Sequence, residues 1–109
     1  MPLKGMQAKY TAHLKNARIA SIDEVRSTQE GRTARGTYSF YEARLVKYSG
    51  DGFTSSAHEE VEFDLHGAIQ HAQSDAGTPS TEEIGAIRNR AELLRSHALT
   101  QQAVQAQRY

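Results

Sequence analysis

Hydrophobic positions along this chain follow two rhythms. A period of two picks out Tyr38, Phe40, Val46 and Tyr48 in one run, and Phe53, Ala57, Val61 and Phe63 in the next. Alternation of this kind is what a strand shows when one face is buried and the other is wet. From residue 84 the period lengthens: Ile84, Ile87, Ala91, Leu94 and Ala98 recur at three and four residues, the stripe of a helix lying on a core. Ser80 and Glu83 have the spacing of a capping box, which places the helix start at about residue 80. The stripe runs into Gln101, Gln102 and Gln105, so its buried part ends near Leu99 and residues 100–109 read as a fraying tail.

The short segment "SGDG" (49–52) reads as a four-residue hairpin loop. That loop sets a register in which Tyr48 faces Phe53, Phe40 faces Val61 and Tyr38 faces Phe63. The aromatics then share one face, with Glu42 and Glu59 awkwardly among them and Arg44 diagonal to both. Thr37, Ser39, Tyr41, Lys47, His58, Glu60 and Glu62 fall on the other. Leu65, Ala68, Ile69 and Ala72 suggest a short helix over 65–76, with Asp64 placed to cap it. Residues 8–26 fit both periods; Asn16 and the β-branched Ile19, Ile22 and Val25 favour a bent strand. The resulting expectation is one α+β domain over 1–109. An antiparallel meander (about 8–26, 37–48 and 53–64) is covered on one face by two C-terminal helices (about 65–76 and 80–99).

Composition narrows the chemistry. At 109 residues, 38% hydrophobic and 24% charged, the chain is long enough to bury a core unaided. It has no cysteine, which removes disulfides, thiol catalysis and cysteine-ligated zinc. No apolar run approaches a membrane span, and the first ten residues lack a secretion signal's apolar centre, so the cytoplasm is the expected compartment. Net charge is zero but unevenly spread. Residues 1–36 carry seven Lys/Arg against three Asp/Glu, residues 37–83 two against nine, and residues 84–109 four against one. Such segregation marks either a charged binding face or ends that fold back on an acidic middle.

Candidate sites are few. "RGTYSFY" (35–41) begins like an RNA-binding strand, with a basic residue, a glycine and alternating aromatics, but the aromatics come one step late. The hairpin register sends Tyr38 and Phe40 into the core instead. "HEEVEFDLH" (58–66) sets His58, Glu60, Glu62 and Asp64 on one strand face. Two-residue steps of about 6.6 Å are too wide for one cation, so the row reads as an acidic surface, able to imitate a phosphate backbone toward a basic partner. No nucleophile elbow, phosphate loop, dinucleotide glycine pattern or metal motif is present, and no cofactor is implied.

The reading these features support is a non-catalytic protein-interaction module, an adaptor or inhibitor. Its partner-binding residues are Tyr41, Lys47, His58, Glu60 and Glu62, with a possible homodimer seam along the last helix. The alternative is a nucleic-acid-binding regulator using the 30–36 loop and the last helix, through Arg32, Arg35, Arg88 and Arg95. Neutral net charge weighs against that alternative.

Overall fold

The computed structural model describes residues 6–28, 31–53 and 57–106. Six strands follow one another across a single antiparallel sheet: β1 (Met6–Lys15), β2 (Arg18–Thr28), β3 (Thr33–Tyr41), β4 (Arg44–Asp51), β5 (His58–Phe63) and β6 (Ile69–Ser74). One helix, α1 (Thr81–Ala106), follows and packs on one face of the sheet. The class is α+β, but with one helix where the sequence suggested two.

The expected 65–76 helix is a tight loop followed by β6. Asp64 does bond the peptide groups ahead of it, its Oδ1 accepting from His66 N at 2.8 Å and Ala68 N at 2.9 Å. Those bonds close a loop in which Gly67 takes φ +86°, a value that ends a right-handed helix. Pairing with β5 then captures Ile69–Ser74. Of the four residues in the supposed stripe, Leu65, Ala68 and Ile69 are exposed and Ala72 alone packs against the core.

The stretch read as one strand over 8–26 is the β1–β2 hairpin, turning at Asn16–Ala17 (φ +53° and +65°). The strand expected over 37–48 is likewise cut by a turn at Glu42–Ala43 (φ +49° and +71°). Positive φ at both central residues is what a type I′ turn needs, and Asn-Gly supplies it without strain. Glu and Ala do not, so nothing in "YEAR" announces the bend. Glu42 is therefore exposed at a turn rather than set on the apolar face, and Arg44 bonds the carbonyl of Leu65. The strand expected over 53–64 begins at His58; residues 54–56 lie outside the described residues, as do 107–109 of the tail.

"SGDG" is not the hairpin loop. Ser49, Gly50 and Asp51 belong to β4, and Gly50 lies opposite Gly36 of β3. A Cβ on Gly50 would sit 2.4 Å from Arg35 O and from Gly36 Cα, and one on Gly36 would sit 2.4 Å from Tyr48 Oη. The two glycines leave room for the Tyr48 ring. Tyr48 accordingly faces Val61 in place of Phe53. That moves the partner eight positions along the chain, an even number that keeps Tyr48 and Val61 on the expected face, but a bulge between Ser39 and Phe40 sets Leu45 opposite Phe40 and against the core in place of Val46. The expected burial survives the wrong loop: Tyr38, Phe40, Tyr48, Val61 and Phe63 are all buried.

Against these pack Ile84, Ile87, Ala91, Leu94 and Ala98 of α1, with Ile19 and Ile22 of β2. Ala98 is the last buried residue of the helix among those up to Ala103, and Leu99 is exposed, although α1 itself runs on to Ala106. Glu24 is buried in the same layer. Its Oε1 accepts from Tyr38 Oη at 2.7 Å and its Oε2 from Arg90 Nε of α1 at 2.6 Å.

Two substitutions test the glycine geometry with opposite signs. Ala43→Gly removes left-handed strain and should raise unfolding stability by about 1 kcal/mol. Gly50→Ala drives a methyl group into backbone and should lower it by about 2 kcal/mol. Urea unfolding reads both; equal effects would refute the assignment of the turn and of the close strand contact.

Candidate interaction face

The face of the sheet opposite α1 is built by alternation from all six strands. Strand register lines up Thr11, Asp23, Thr37, Ser49, Glu60 and Gln73 in one row, and His13, Ser21, Ser39, Lys47, Glu62 and His71 in the next. Hydroxyl residues (Ser21, Thr37, Ser39 and Ser49) run through the centre, with Asp23, Lys47, Glu60 and Glu62 as the charges among them and Thr11, His13, His71 and Gln73 at the two edges. Nothing among the described residues covers this face.

Its polar groups hold one another across strands. Asp23 accepts from Thr37 Oγ1 at 2.7 Å and lies 2.7 Å from His13 Nε2; the Thr37 bond first, then His13, hold its carboxyl below the usual range. Lys47 Nζ is 3.8 Å from Glu60 Oε1, and Gln73 Nε2 donates to Glu60 Oε2 at 3.4 Å. These are exposed pairs, worth little individually to stability, but they fix where each charge stands.

Of the residues expected to bind a partner, Lys47, His58, Glu60 and Glu62 come together on β4 and β5. Lys47 is directly opposite Glu62, Ser49 opposite Glu60, and Asp51 opposite His58. Tyr41 ends β3 on the same side by alternation, two residues beyond Ser39, and is 55% exposed. Among the described residues it is the one exposed tyrosine or phenylalanine near the face.

The four arginines of the alternative are not brought together. Arg35 is exposed on β3, its side chain alternating with the inward Gly36, while its N–H donates to Asp51 Oδ2 at 2.9 Å. Arg32 is exposed in the segment before β3. Arg88 and Arg95 are carried by α1, across the sheet from Arg35. Arg88 donates to Gly67 O at 2.6 Å and stands over the Phe63 ring at 4.7 Å; Arg95 lies 3.9 Å from Glu92.

Sequence reading passed over a buried acid pair directly beneath the face. Glu59 alternates with His58 and Glu60, so it points inward, and it is 2% exposed. Its carboxyl shares a hydrogen bond with Glu83 of α1. Glu83 therefore completes only half of a capping box: its N–H donates to Ser80 Oγ at 3.1 Å, while its carboxylate turns to accept from Phe53 N at 2.7 Å. Burial pushes the Glu59 carboxyl up to about 7, the Glu83 hydrogen bond and charge add to this, and nearby Arg26 opposes it. Glu59's place on the apolar side was the legible signal; its partner, on an element 24 residues later in the chain, was not.

Two shallow hollows flank the sheet. One of about 240 Å³ is lined by His58, Glu59, Glu60, Gln73, Ser74 and Asp75. The other, also about 240 Å³, lies between β1 and the end of α1 and is lined chiefly by Tyr10, Ala12, Leu14, Ile19 and Ala98. No group of three or more His, Asp or Glu that could hold a metal ion occurs among the described residues, and no helix there is long and apolar enough to cross a membrane. No family model, curated protein or solved structure matches the chain.

The acid pair has a pH signature. A carboxyl raised from 4.5 to about 7 in the folded state binds its proton more tightly there than in the unfolded chain. Its contribution is therefore complete below about pH 4.5, declines as pH rises toward 7, and is lost above that. Asp23 and Asp64, both lowered from 3.8, act in the opposite sense but only in more acid solution. The urea midpoint should fall between pH 5 and pH 8, and Glu59→Gln should flatten that decline. A midpoint that is level from pH 5 to 8 in the parent chain would show that the two carboxyls do not share a proton.

Proposed function

We propose that the protein is a non-catalytic interaction module that meets a protein partner through the open face of its sheet, with Tyr41, Lys47, His58, Glu60 and Glu62 in contact. The observation that carries this reading is the juxtaposition of Lys47, His58, Glu60 and Glu62 on adjacent strands of an uncovered face. A face of hydroxyls edged by charge suits a wet interface steered by electrostatics. Acidic side chains predominate at its β5 side, so the complementary surface is basic. Tyr41 supplies the single aromatic anchor of the kind that interfaces favour.

Reversal of the two acids tests the reading. Glu60→Lys with Glu62→Lys changes exposed positions and should leave the unfolding midpoint nearly unchanged. Bound protein recovered on the immobilised chain from its source extract should drop at least tenfold, and Tyr41→Ala should weaken it further. Undiminished recovery by the folded double variant would overturn the assignment of the face.

Nucleic-acid binding is the rival reading, and it predicts a different result. Fluorescent single- and double-stranded oligonucleotides titrated at 50 mM salt should show no saturable binding to the parent chain. Tight binding that weakens steeply with salt, and that Arg88→Ala with Arg95→Ala abolishes, would favour the rival.

A further inference from the structure

The sheet is open: β1 and β6 end the strand order, so each has a neighbouring strand on one side only among the described residues. An edge strand presents unpaired peptide groups to any other strand. The two edges of this sheet differ sharply in charge. No Asp or Glu occurs from residue 1 to residue 22, and β1 carries Lys9 and Lys15. No Lys or Arg occurs from residue 48 to residue 87, and β5 with its following turn carries Glu59, Glu60, Glu62 and Asp64. β6 itself has no Asp, Glu, Lys or Arg, and Asp75 follows it. The neutral chain therefore carries lysines on its β1 edge, and at the other margin an uncharged β6 backed by Glu60 and Glu62 of β5.

Apolar surface is left at the same two places and on the same side. Leu14 near the end of β1 is 54% exposed, and Ile69 at the start of β6 is 50% exposed. Leu14 pairs with Ile19, and Ile69 pairs with Phe63, both inward-facing residues, so both exposed side chains project on the helix side. Leu14 also lines the apolar hollow beside Ala98.

We propose that copies of this chain assemble head to tail, β6 of one copy adding to β1 of the next as an antiparallel neighbour. Six alternating strands leave β1 and β6 running in opposite directions, so a following copy with its helix on the same side extends the sheet in its own antiparallel pattern. The start of β6 then lies beside the end of β1, which brings Ile69 to Leu14 and its apolar hollow. The end of β6 lies beside the start of β1, which brings Lys9 near Gln73 and, one strand further in, Glu60. Like edges gain no opposite charge: two β1 strands would face lysine to lysine, and two uncharged β6 strands would each offer the other no lysine. The contact is heterologous, so it builds a ring if the rotation closes and an extended run if it does not. It uses the edges, and Glu60 is the one residue it shares with the contact proposed for the open face.

The absence of cysteine makes a direct test possible. Thr11→Cys on β1 and Gln73→Cys on β6 are exposed changes on the outer side of each edge. With a short bis-maleimide, the two variants mixed should form an intermolecular cross-link, while either variant alone should give none. Sedimentation velocity of the parent chain should show species larger than 12.1 kDa, shifting toward that monomer mass as salt rises from 50 to 500 mM. Gln70→Lys with Gln73→Lys, which makes the β6 edge basic, should return the folded chain to monomer. Cross-linking by one variant alone would replace the proposal with a symmetric edge dimer. A parent chain that stays monomeric at several hundred micromolar, with no cross-link in the mixture, would overturn assembly altogether. All of these substitutions leave Tyr41, Lys47, His58, Glu60 and Glu62 in place, and although Gln73 donates to Glu60, partner capture read on the Thr11→Cys variant alone keeps the two readings separate, so failure here leaves the open-face reading standing.

Discussion

The position of the helix depends on one buried carboxylate. The Glu24 side chain is fully removed from solvent, yet it is held from two elements: by the Tyr38 hydroxyl on β3 and by the Arg90 guanidinium on α1. A charge cannot stay in that environment without such partners. Replacing the group with an apolar one of equal volume would not necessarily weaken the fold, because desolvating both ions offsets much of their attraction. What the pair provides is selection. The stripe from Ile84 to Ala98 could slide along a sheet of tyrosines and isoleucines at small cost, whereas Arg90 meets Glu24 at a single setting of the helix.

A second group of contacts fixes the start of the same helix. Arg26 stacks on the Phe53 ring at 3.8 Å and donates to Asp51 O at 2.9 Å, while Phe53 N donates to Glu83. Tyr48, lying over the paired glycines, donates to Asp51 O at 2.5 Å. Burial raises the Tyr38 and Tyr48 hydroxyls well above the ordinary tyrosine range, so both remain donors at any physiological pH. Polar groups thus gather on the inner side at one end of the sheet, and the apolar core occupies the rest. With α1 tied at Glu24 and at Glu83, most polar groups of the layer beneath it are paired, while Arg26 Nε and Glu59 Oε1 are buried without a hydrogen-bond partner. The opposite face is left open because no second helix occurs among the described residues to cover it.

How much of this was legible can be argued residue by residue. Alternation placed Tyr38, Phe40, Tyr48, Val61 and Phe63 on the buried face correctly, even though the loop used to derive it was wrong. Side-chain period is local, and only an odd slip destroys it. The turns were hidden because Glu42 and Ala43 adopt left-handed backbone without being turn formers, and the visible glycines were doing something else. Gly36 and Gly50 are in mid-strand, where the reason for them is the Tyr48 ring, a contact between different strands. β6 was misread because its sequence has weak preferences either way, and β5 decides the matter by offering it a ladder. Gly67 within the supposed helix was the available warning, since glycine inside a helix costs about 1 kcal/mol relative to alanine. Of the candidate site, the residues on β4 and β5 could be grouped from period alone. The separation of Arg35 from Arg88 and Arg95 could not, because it depends on which face the helix covers.

Zero net charge is a poor guide to a molecule of this shape. The charges of the N-terminal third and of the middle do not fold back to neutralise each other, because a meander keeps sequence order as spatial order. Strands early in the chain stay on one side of the sheet and later ones on the other, so a run of lysines without acids becomes an edge, and a run of acids without lysines gathers one strand in from the opposite edge. The helix arginines return across the inner side, where Arg90 and Arg88 are engaged by Glu24 and by the Gly67 carbonyl. What remains outward is a polar face with unlike margins. Screening at physiological ionic strength acts over about 8 Å, less than the width of six strands spaced about 4.8 Å apart. Each margin therefore presents its own sign to whatever approaches it, and a chain that is neutral in sum behaves locally as a basic surface at one side and an acidic surface at the other.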